Sequence, residues 1–363
     1  MHLELLHRKS ETFFSIIKDK SEISKIHDKI KKVTMNKLKR IEKALDNLSG
    51  LELECRLCPQ ECRVNRRVGQ RGICQSTNEA ALSHALLHFG EEPVLSGLKD
   101  CAKAEARDAS QRSGSGTIFF SGCNLKCLFC QNYQLSWLNQ GKTVSDEELA
   151  RKMLYLQEKG ALNINLVSPT HLILPILRAL RIAYEQGLEL PIVYNSNGYE
   201  KAEVIENLEG IIDIYLPDLK YFSPEVAGRF SNGPDYFEKA SLAVKEMHRQ
   251  QPELLLSEKE VALKGLIIRH LVLPGQVQDS LSILDWTARS LSTSICLSLM
   301  SQYHPCFRAP AEIKRNLTPE EYDRVISRAE ELGFETIFIQ PEPFAETEHL
   351  VPDFNLKDPF KWS

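Results

Sequence analysis

Seven short apolar runs punctuate the chain: TIFFSG (117–122), INLVSP (164–169), PIVYNS (191–196), IDIYLP (212–217), LIIRHLVLPG (266–275), ICLSLM (295–300) and TIFIQ (336–340). Each has the length of a strand, and most end at Gly, Pro or Ser. Amphipathic segments lie between several of them. In SDEELARKMLYLQEKG, Ser145 and Glu148 have the spacing of a capping box, Leu149, Met153 and Leu156 make one stripe, and Gly160 ends the helix. Thr318 opens TPEEYDRVISRAEELG in the same way, with Pro319 at the first helical position. Strands alternating with helices build parallel βαβ units with right-handed crossovers. Six or seven such strands fit a partial or full β/α barrel; an open doubly wound sheet is the competing arrangement.

The sequence FFSGCNLKCLFCQN follows the first of these strands directly, and barrel active sites lie in loops at the C-terminal ends of strands. Cys123, Cys127 and Cys130 have the spacing C-x3-C-x2-C. Three thiolates can each hold one iron of a [4Fe-4S] cube, leaving the fourth iron without a protein ligand. An open position separates a reactive metal site from a closed structural one. That iron could chelate the amino and carboxylate groups of S-adenosylmethionine. Zinc would want a fourth ligand, and none follows Cys130 closely.

A second set, Cys55, Cys58, Cys62 and Cys74, is spaced C-x2-C-x3-C-x11-C in a loop containing Pro and Gly. Four thiolates make a closed tetrahedral site for zinc or ligate a second [4Fe-4S] cluster; the spacing leaves both open. Arg63, Arg66, Arg67 and Arg71 surround it, either as a solvated face or as stabilisers of thiolate charge. Cys296 fits a buried strand, and Cys101 and Cys306 lie in expected loops.

C-x3-C-x-aromatic-C after a first strand resembles the radical S-adenosylmethionine (radical SAM) superfamily. The wider pattern resembles its pyruvate formate-lyase activating-enzyme group, and a branch of it carrying an upstream four-cysteine motif. GTIFFSGCNLKCLFCQNY, NINLVSPTH, PIVYNSNGYE, IDIYLPDLKY, RHLVLPG, LMSQYHP and CRLCPQECRVNRRVGQRGICQ carry the likeness, over about residues 51–343. It implies an α/β fold, a partial (β/α)6 TIM-like barrel with an N-terminal helical and cysteine-rich extension. It also implies contacts with S-adenosylmethionine: Phe129 beside the adenine, Asn195, Ser196 and Asn197 near the ribose, and Asp218 and Lys220 at the methionyl carboxylate or a nearby cation. Ser168 to His171 stand where many relatives have Gly-Gly-Glu, so Pro169-Thr170-His171 must meet the methionine amino group differently. Arg269 and His270 are expected near the site.

The expected organisation is a helical extension (1–50), a cysteine-rich segment (51–96), a flexible insertion (97–116), the barrel (117–343) and a tail (344–363). Residues 1–50 carry a charge of +5, read as a solvated lysine face, and the remainder carries −9. That balance leaves no nucleic-acid footprint. Without a run of 18 apolar residues no membrane span is expected, and without a secretory signal a cytoplasmic location is. The leading expectation is reductive cleavage of S-adenosylmethionine and hydrogen abstraction by a 5′-deoxyadenosyl radical. A flavodoxin or ferredoxin would be the electron donor, and a glycine of a glycyl-radical protein the target. A small metabolite or another macromolecule is the alternative target. An iron–sulfur or zinc protein that relays electrons or scaffolds a complex is the alternative of a different class.

Overall fold

In the computed structural model the described residues are 20–97, 113–340 and 351–360, the first eleven of them by backbone alone. Strand β1 (Ala80–His88) runs antiparallel to β2 (Ser115–Phe120), and the short β3 (Lys142–Val144) pairs antiparallel with β1. Then follow β4 (Ile164–Val167), β5 (Ile192–Ser196), β6 (Ile214–Pro217), the two-residue β7 (Leu255–Leu256), β8 (Ala262–Leu271), β9 (Cys296–Met300) and β10 (Thr336–Ile339). The sheet order is β10-β9-β8-β6-β5-β4-β2-β1-β3, with β7 on β8.

From β2 to β10 the long path is wholly parallel. Its strands follow chain order without reversal, so every crossover winds the same way. That is barrel winding, and the doubly wound arrangement is excluded. The sheet is not closed: β10 and β3 are its two ends. All seven expected strands are present. β1, β3 and the two-residue β7 are additional, and β2 begins at Ser115, taking the last two residues of the expected insertion. Cys101 and most of that insertion lie outside the described residues.

Both expected capping boxes form. Ser145 and Glu148 cap α3 (Asp146–Glu158), after α1 (Lys20–Leu48) and α2 (Pro93–Ser96); Thr318 and Glu321 do so for the helix Pro319–Glu331. Each such cap is worth about 1 kcal/mol. α1 packs on α4 (Ile173–Glu185), burying Ile41, Ala44 and Leu48 in the main core. Lys31, Lys32, Lys39 and Lys43 are solvent-exposed, as a solvated face requires. Lys37 is the exception: its ammonium reaches Asp213 at 2.5 Å and the Tyr184 hydroxyl at 2.9 Å.

The two faces of the sheet bury different things, as a period of two dictates. Tyr194, Tyr215, Ile268 and Leu297 join the core under the helices. Their neighbours Val193, Ile214, Leu216, Ile267 and Cys296 face inward and pack against Val94 and Leu95 of α2, which fills this part of the interior. Phe119 and Val167, paired across β2 and β4, pack instead with Phe354 and Phe360 of the tail.

Candidate active site and a second cysteine site

Phe120 ends β2, and Cys123 follows three residues later, placed by Gly122 at φ +85. Cys123 and Cys127 are buried and Cys130 is half-buried. The loop is tied from several sides. The Asn197 amide donates to Cys123 Sγ at 3.3 Å and to Asn124 Oδ1 at 2.8 Å. The Ser136 hydroxyl donates to Cys130 Sγ at 3.2 Å, and the Trp137 indole to the Cys127 carbonyl at 2.9 Å. Burial, then the neighbouring Cys127 thiol, pushes the Cys123 pKa up to about 11 and that of Cys130 to about 12. Uncharged thiols are therefore the resting form without metal, and loading a metal must expel protons.

The next strand ends supply polar groups. Asp218 and Lys220 form an ion pair at 2.5 Å. Burial disfavours the Lys220 charge, but the Asp218 carboxylate, and Cys127 and Cys130 when ionised, outweigh it and hold the pKa above the ordinary lysine value. Lys220 is thus a cation facing the cysteine loop. Asn197 is pinned in turn: the Tyr236 hydroxyl lies 2.8 Å from its carbonyl and accepts the Lys220 amide at 3.0 Å. Phe129 is buried edge-on to Tyr303, and its carbonyl accepts from the Cys306 thiol at 3.4 Å. Ser168 sits at the end of β4 with φ +58, its amide bonded to the Asn195 carbonyl.

Other expected contacts lie elsewhere. Asn195 faces inward, but its side-chain oxygen meets Arg269 at 3.5 Å. Ser196 alternates to the opposite face, where its hydroxyl accepts the Gly198 amide. Arg269 is held by Glu91 and by Glu92 (Nε to Oε1 2.7 Å), carboxylates from the segment before α2, so an ion-pair network occupies it rather than the loop. His270 points outward, between the Leu219 carbonyl and Ser280. His171 is also diverted. It is buried, its Nε2 lies 3.0 Å from the Ser121 carbonyl, and its own carbonyl accepts from Arg66 at 2.6 Å. Burial pushes its pKa down to about 3, so the ring is neutral.

His171 looks instead toward the upstream cysteines. Cys55, Cys58, Cys62 and Cys74 line one small cavity, walled on its inner side by Asn124 and His171. Turns gather them: the Cys55 amide bonds the Val64 carbonyl and the Arg63 amide the Cys55 carbonyl. Of the four arginines noted there, Arg66 alone is fully buried, and it donates to Cys74 Sγ at 3.3 Å. The Ile73 amide donates to Cys62 Sγ at 3.4 Å. Burial, and the mutual repulsion of the cysteines as thiolates, raises the pKa of Cys58. Among the described residues no three such side chains already surround a metal-sized point, at either cysteine set. Ligation at both requires thiol rotation about χ1.

The sequence reading passed over Asn124, Arg66 as a buried cation, and Glu91 and Glu92. Asn124 carried a signal, since it lies inside the cysteine motif. The other three became visible only through long-range contacts.

A profile of the Radical SAM superfamily matches residues 117–282. The uncharacterized protein MJ0674 of Methanocaldococcus jannaschii is 32% identical over 341 residues, covering 88% of this chain and 90% of that protein. The pyruvate formate-lyase-activating enzyme of Clostridium pasteurianum is 27% identical over 168 residues, covering 42% of this chain and 69% of that protein. Among solved structures, Streptococcus suis SuiB bound to S-adenosylmethionine matches with a TM-score of 0.41 and 13% identity. That match covers 61% of this chain and 48% of SuiB, about half of its length.

Proposed function

The chain belongs to the radical SAM superfamily, and from that premise we propose that Cys123, Cys127 and Cys130 hold the [4Fe-4S] cluster at which S-adenosylmethionine is bound and reductively cleaved. Bound there, the cluster would supply one electron to the sulfonium, breaking a C–S bond to leave methionine and a 5′-deoxyadenosyl radical. The observation that carries the reading is the loop after β2, with three cysteines at C-x3-C-x2-C and an inward-facing wall of Asn197, Asp218 and Lys220 beside it.

The residues fit their parts. The thiols are buried and directed by amide and hydroxyl donors, which would tune a bound cluster through its sulfurs. Lys220 supplies a cation for a carboxylate and Asp218 an acceptor for an ammonium group. The Phe129 backbone borders the same loop for the adenine. Asn195 lies one strand position below Asn197 and would reach the ribose only by releasing Arg269. α2 fills the interior beneath, and Phe354 and Phe360 line it beside β2, which keeps bulk water from a radical.

The radical would abstract a hydrogen atom from the substrate. A glycine in a partner protein is the favoured target, supported by the likeness to the Clostridium pasteurianum enzyme. Anaerobically reconstituted, reduced protein given S-adenosylmethionine is expected to form 5′-deoxyadenosine. No product above a Cys127→Ala control would overturn the chemistry. Absence of a glycyl-radical resonance with candidate partners would overturn the target alone.

A further inference from the structure

The two cysteine sites share a wall. Gly122, next to Cys123, lies so close to the Cys74 carbonyl that an added Cβ would stand 2.4 Å from it. Asn124, on the other side of Cys123, lines the four-cysteine cavity, and its carbonyl accepts from Gln60 at 2.9 Å. His171 lines the same cavity and bonds the Ser121 carbonyl at the end of β2. Gly122 and Asn124 therefore border one site while Cys123, between them, belongs to the other. A site meant only to staple the N-terminal segment has no need of this placement.

The donors in the cavity distinguish the two metals. Arg66 is buried, and its Nε–H has no hydrogen-bond partner. A buried donor left unmade costs about 1–3 kcal/mol. Zinc in four thiolates offers only the thiolate sulfurs as acceptors, whereas an iron–sulfur cluster adds its inorganic sulfides. The guanidinium, already on Cys74 Sγ, also places a fixed positive charge beside the centre. Such a charge favours an added electron on a cluster, whereas beside zinc, which has no redox chemistry, it would only offset thiolate charge.

The outer side of this segment is basic and apolar. Arg56, Arg63, Arg67 and Arg71 are exposed, with Val68 at 69% and Leu53 at 50% exposure among them. Glu54 pairs with Arg56 and Arg63 and Glu52 with Arg67, so the arginines outnumber the carboxylates they meet. Yet the chain beyond residue 50 is acidic as a whole. A local basic patch on an acidic protein steers an acidic partner to one place.

We propose that Cys55, Cys58, Cys62 and Cys74 hold a redox-active iron–sulfur cluster that takes one electron from an acidic, low-potential protein carrier and passes it across the Gly122–Asn124 wall to the cluster at Cys123. The electron count closes. The carrier is oxidised by one electron, each cluster is reduced and reoxidised in turn, and the sulfonium of S-adenosylmethionine is the final acceptor. The relay rests on the function proposed above; the identity of the upstream metal does not.

The first test is therefore independent of S-adenosylmethionine cleavage. In the full chain with Cys123, Cys127 and Cys130 all changed to Ala, anaerobic reconstitution should retain iron and sulfide. Reduction should then give a paramagnetic resonance that S-adenosylmethionine leaves unmoved. Arg66→Gln in that background should shift its midpoint potential to more negative values. Zinc without iron, or a signal indifferent to Arg66, overturns the proposal. The second test compares reductants. In Cys58→Ser, 5′-deoxyadenosine formation driven by reduced flavodoxin should fall at least tenfold relative to formation driven by dithionite. In Arg63→Glu/Arg71→Glu, the KM for flavodoxin should rise and lose its dependence on ionic strength. Equal losses with both reductants overturn the relay. If wild-type protein yields no product with dithionite, the proposed function fails, and the iron count still decides the upstream site.

Discussion

The side-chain amide of Asn197, one residue beyond β5, donates to the sulfur of Cys123, 74 positions earlier in the chain. The same amide holds Asn124. It thus fixes the first cysteine of the loop and the residue that borders the second site. Removing it by Asn197→Ala is expected to cost roughly 10–100-fold in 5′-deoxyadenosine formation, the usual range for groups that orient metal ligands. The midpoint potential of the cluster proposed at Cys123 should fall, because an N–H···S bond to the more negative state is lost. Redox titration followed by electron paramagnetic resonance measures it. An unchanged potential would show that the amide serves only the loop backbone.

Glu200 should give the protein a stability that declines with pH. It is fully buried, and desolvation raises its pKa to about 8 despite hydrogen bonds from Thr170, Ser196 and Tyr194. Its folded pKa lies above its unfolded one, so the protonated form is favoured by folding. The full contribution is present below the unfolded value of 4.5 and is lost as pH rises toward 8. Glu200→Gln keeps the neutral shape and removes the titration. Its unfolding free energy should match wild type near pH 5 and exceed it by pH 8, a gap on the order of a few kcal/mol. Parallel curves for the two proteins would refute the assignment.

Arg269 balances Glu91 and Glu92, all three nearly buried. Changing it to Met leaves two carboxylates facing each other in the interior. The expected loss is about 3–5 kcal/mol at neutral pH, read by denaturant unfolding, because an uncompensated buried charge costs more than a buried pair contributes. Arg269→Met/Glu92→Gln should recover part of it. If the single variant is as stable as wild type, Arg269 was free to bind a ligand after all.

The tail segment closes over Phe119. Phe354 stands 5.4 Å from the Phe119 ring, and its amide donates to Gln134 beside the cysteine loop at 2.6 Å. Phe354→Ala should cost about 3 kcal/mol. It should also quicken the decay of reduced S-adenosylmethionine-bound enzyme in the absence of substrate, measured as uncoupled 5′-deoxyadenosine. Unaltered uncoupling would mean that the tail is a support and not a shield.

The strands and both capped helices could be read locally, since apolar period and cap chemistry act over a few residues. Antiparallel β1 was missed because AALSHALLH shows no clean alternation, and its pairing with β2 crosses the expected insertion. Residues of the tail were missed for a related reason. Two phenylalanines in a polar stretch carry no period, and their burial depends on a face of β1, β2 and β4 formed far away in the chain.

The two cysteine spacings determined on their own which thiols could ligate and that there were two sets. Ligand spacing is a short-range property of one loop, and composition around it cannot hide it. Only the tertiary structure decided how the sets relate. It turned His171 and Arg269 away from the loop they were expected to serve, buried Arg66 against Cys74, and put Gly122 against the Cys74 carbonyl. Those outcomes depend on which charges find partners when distant segments are packed, and no local pattern records that.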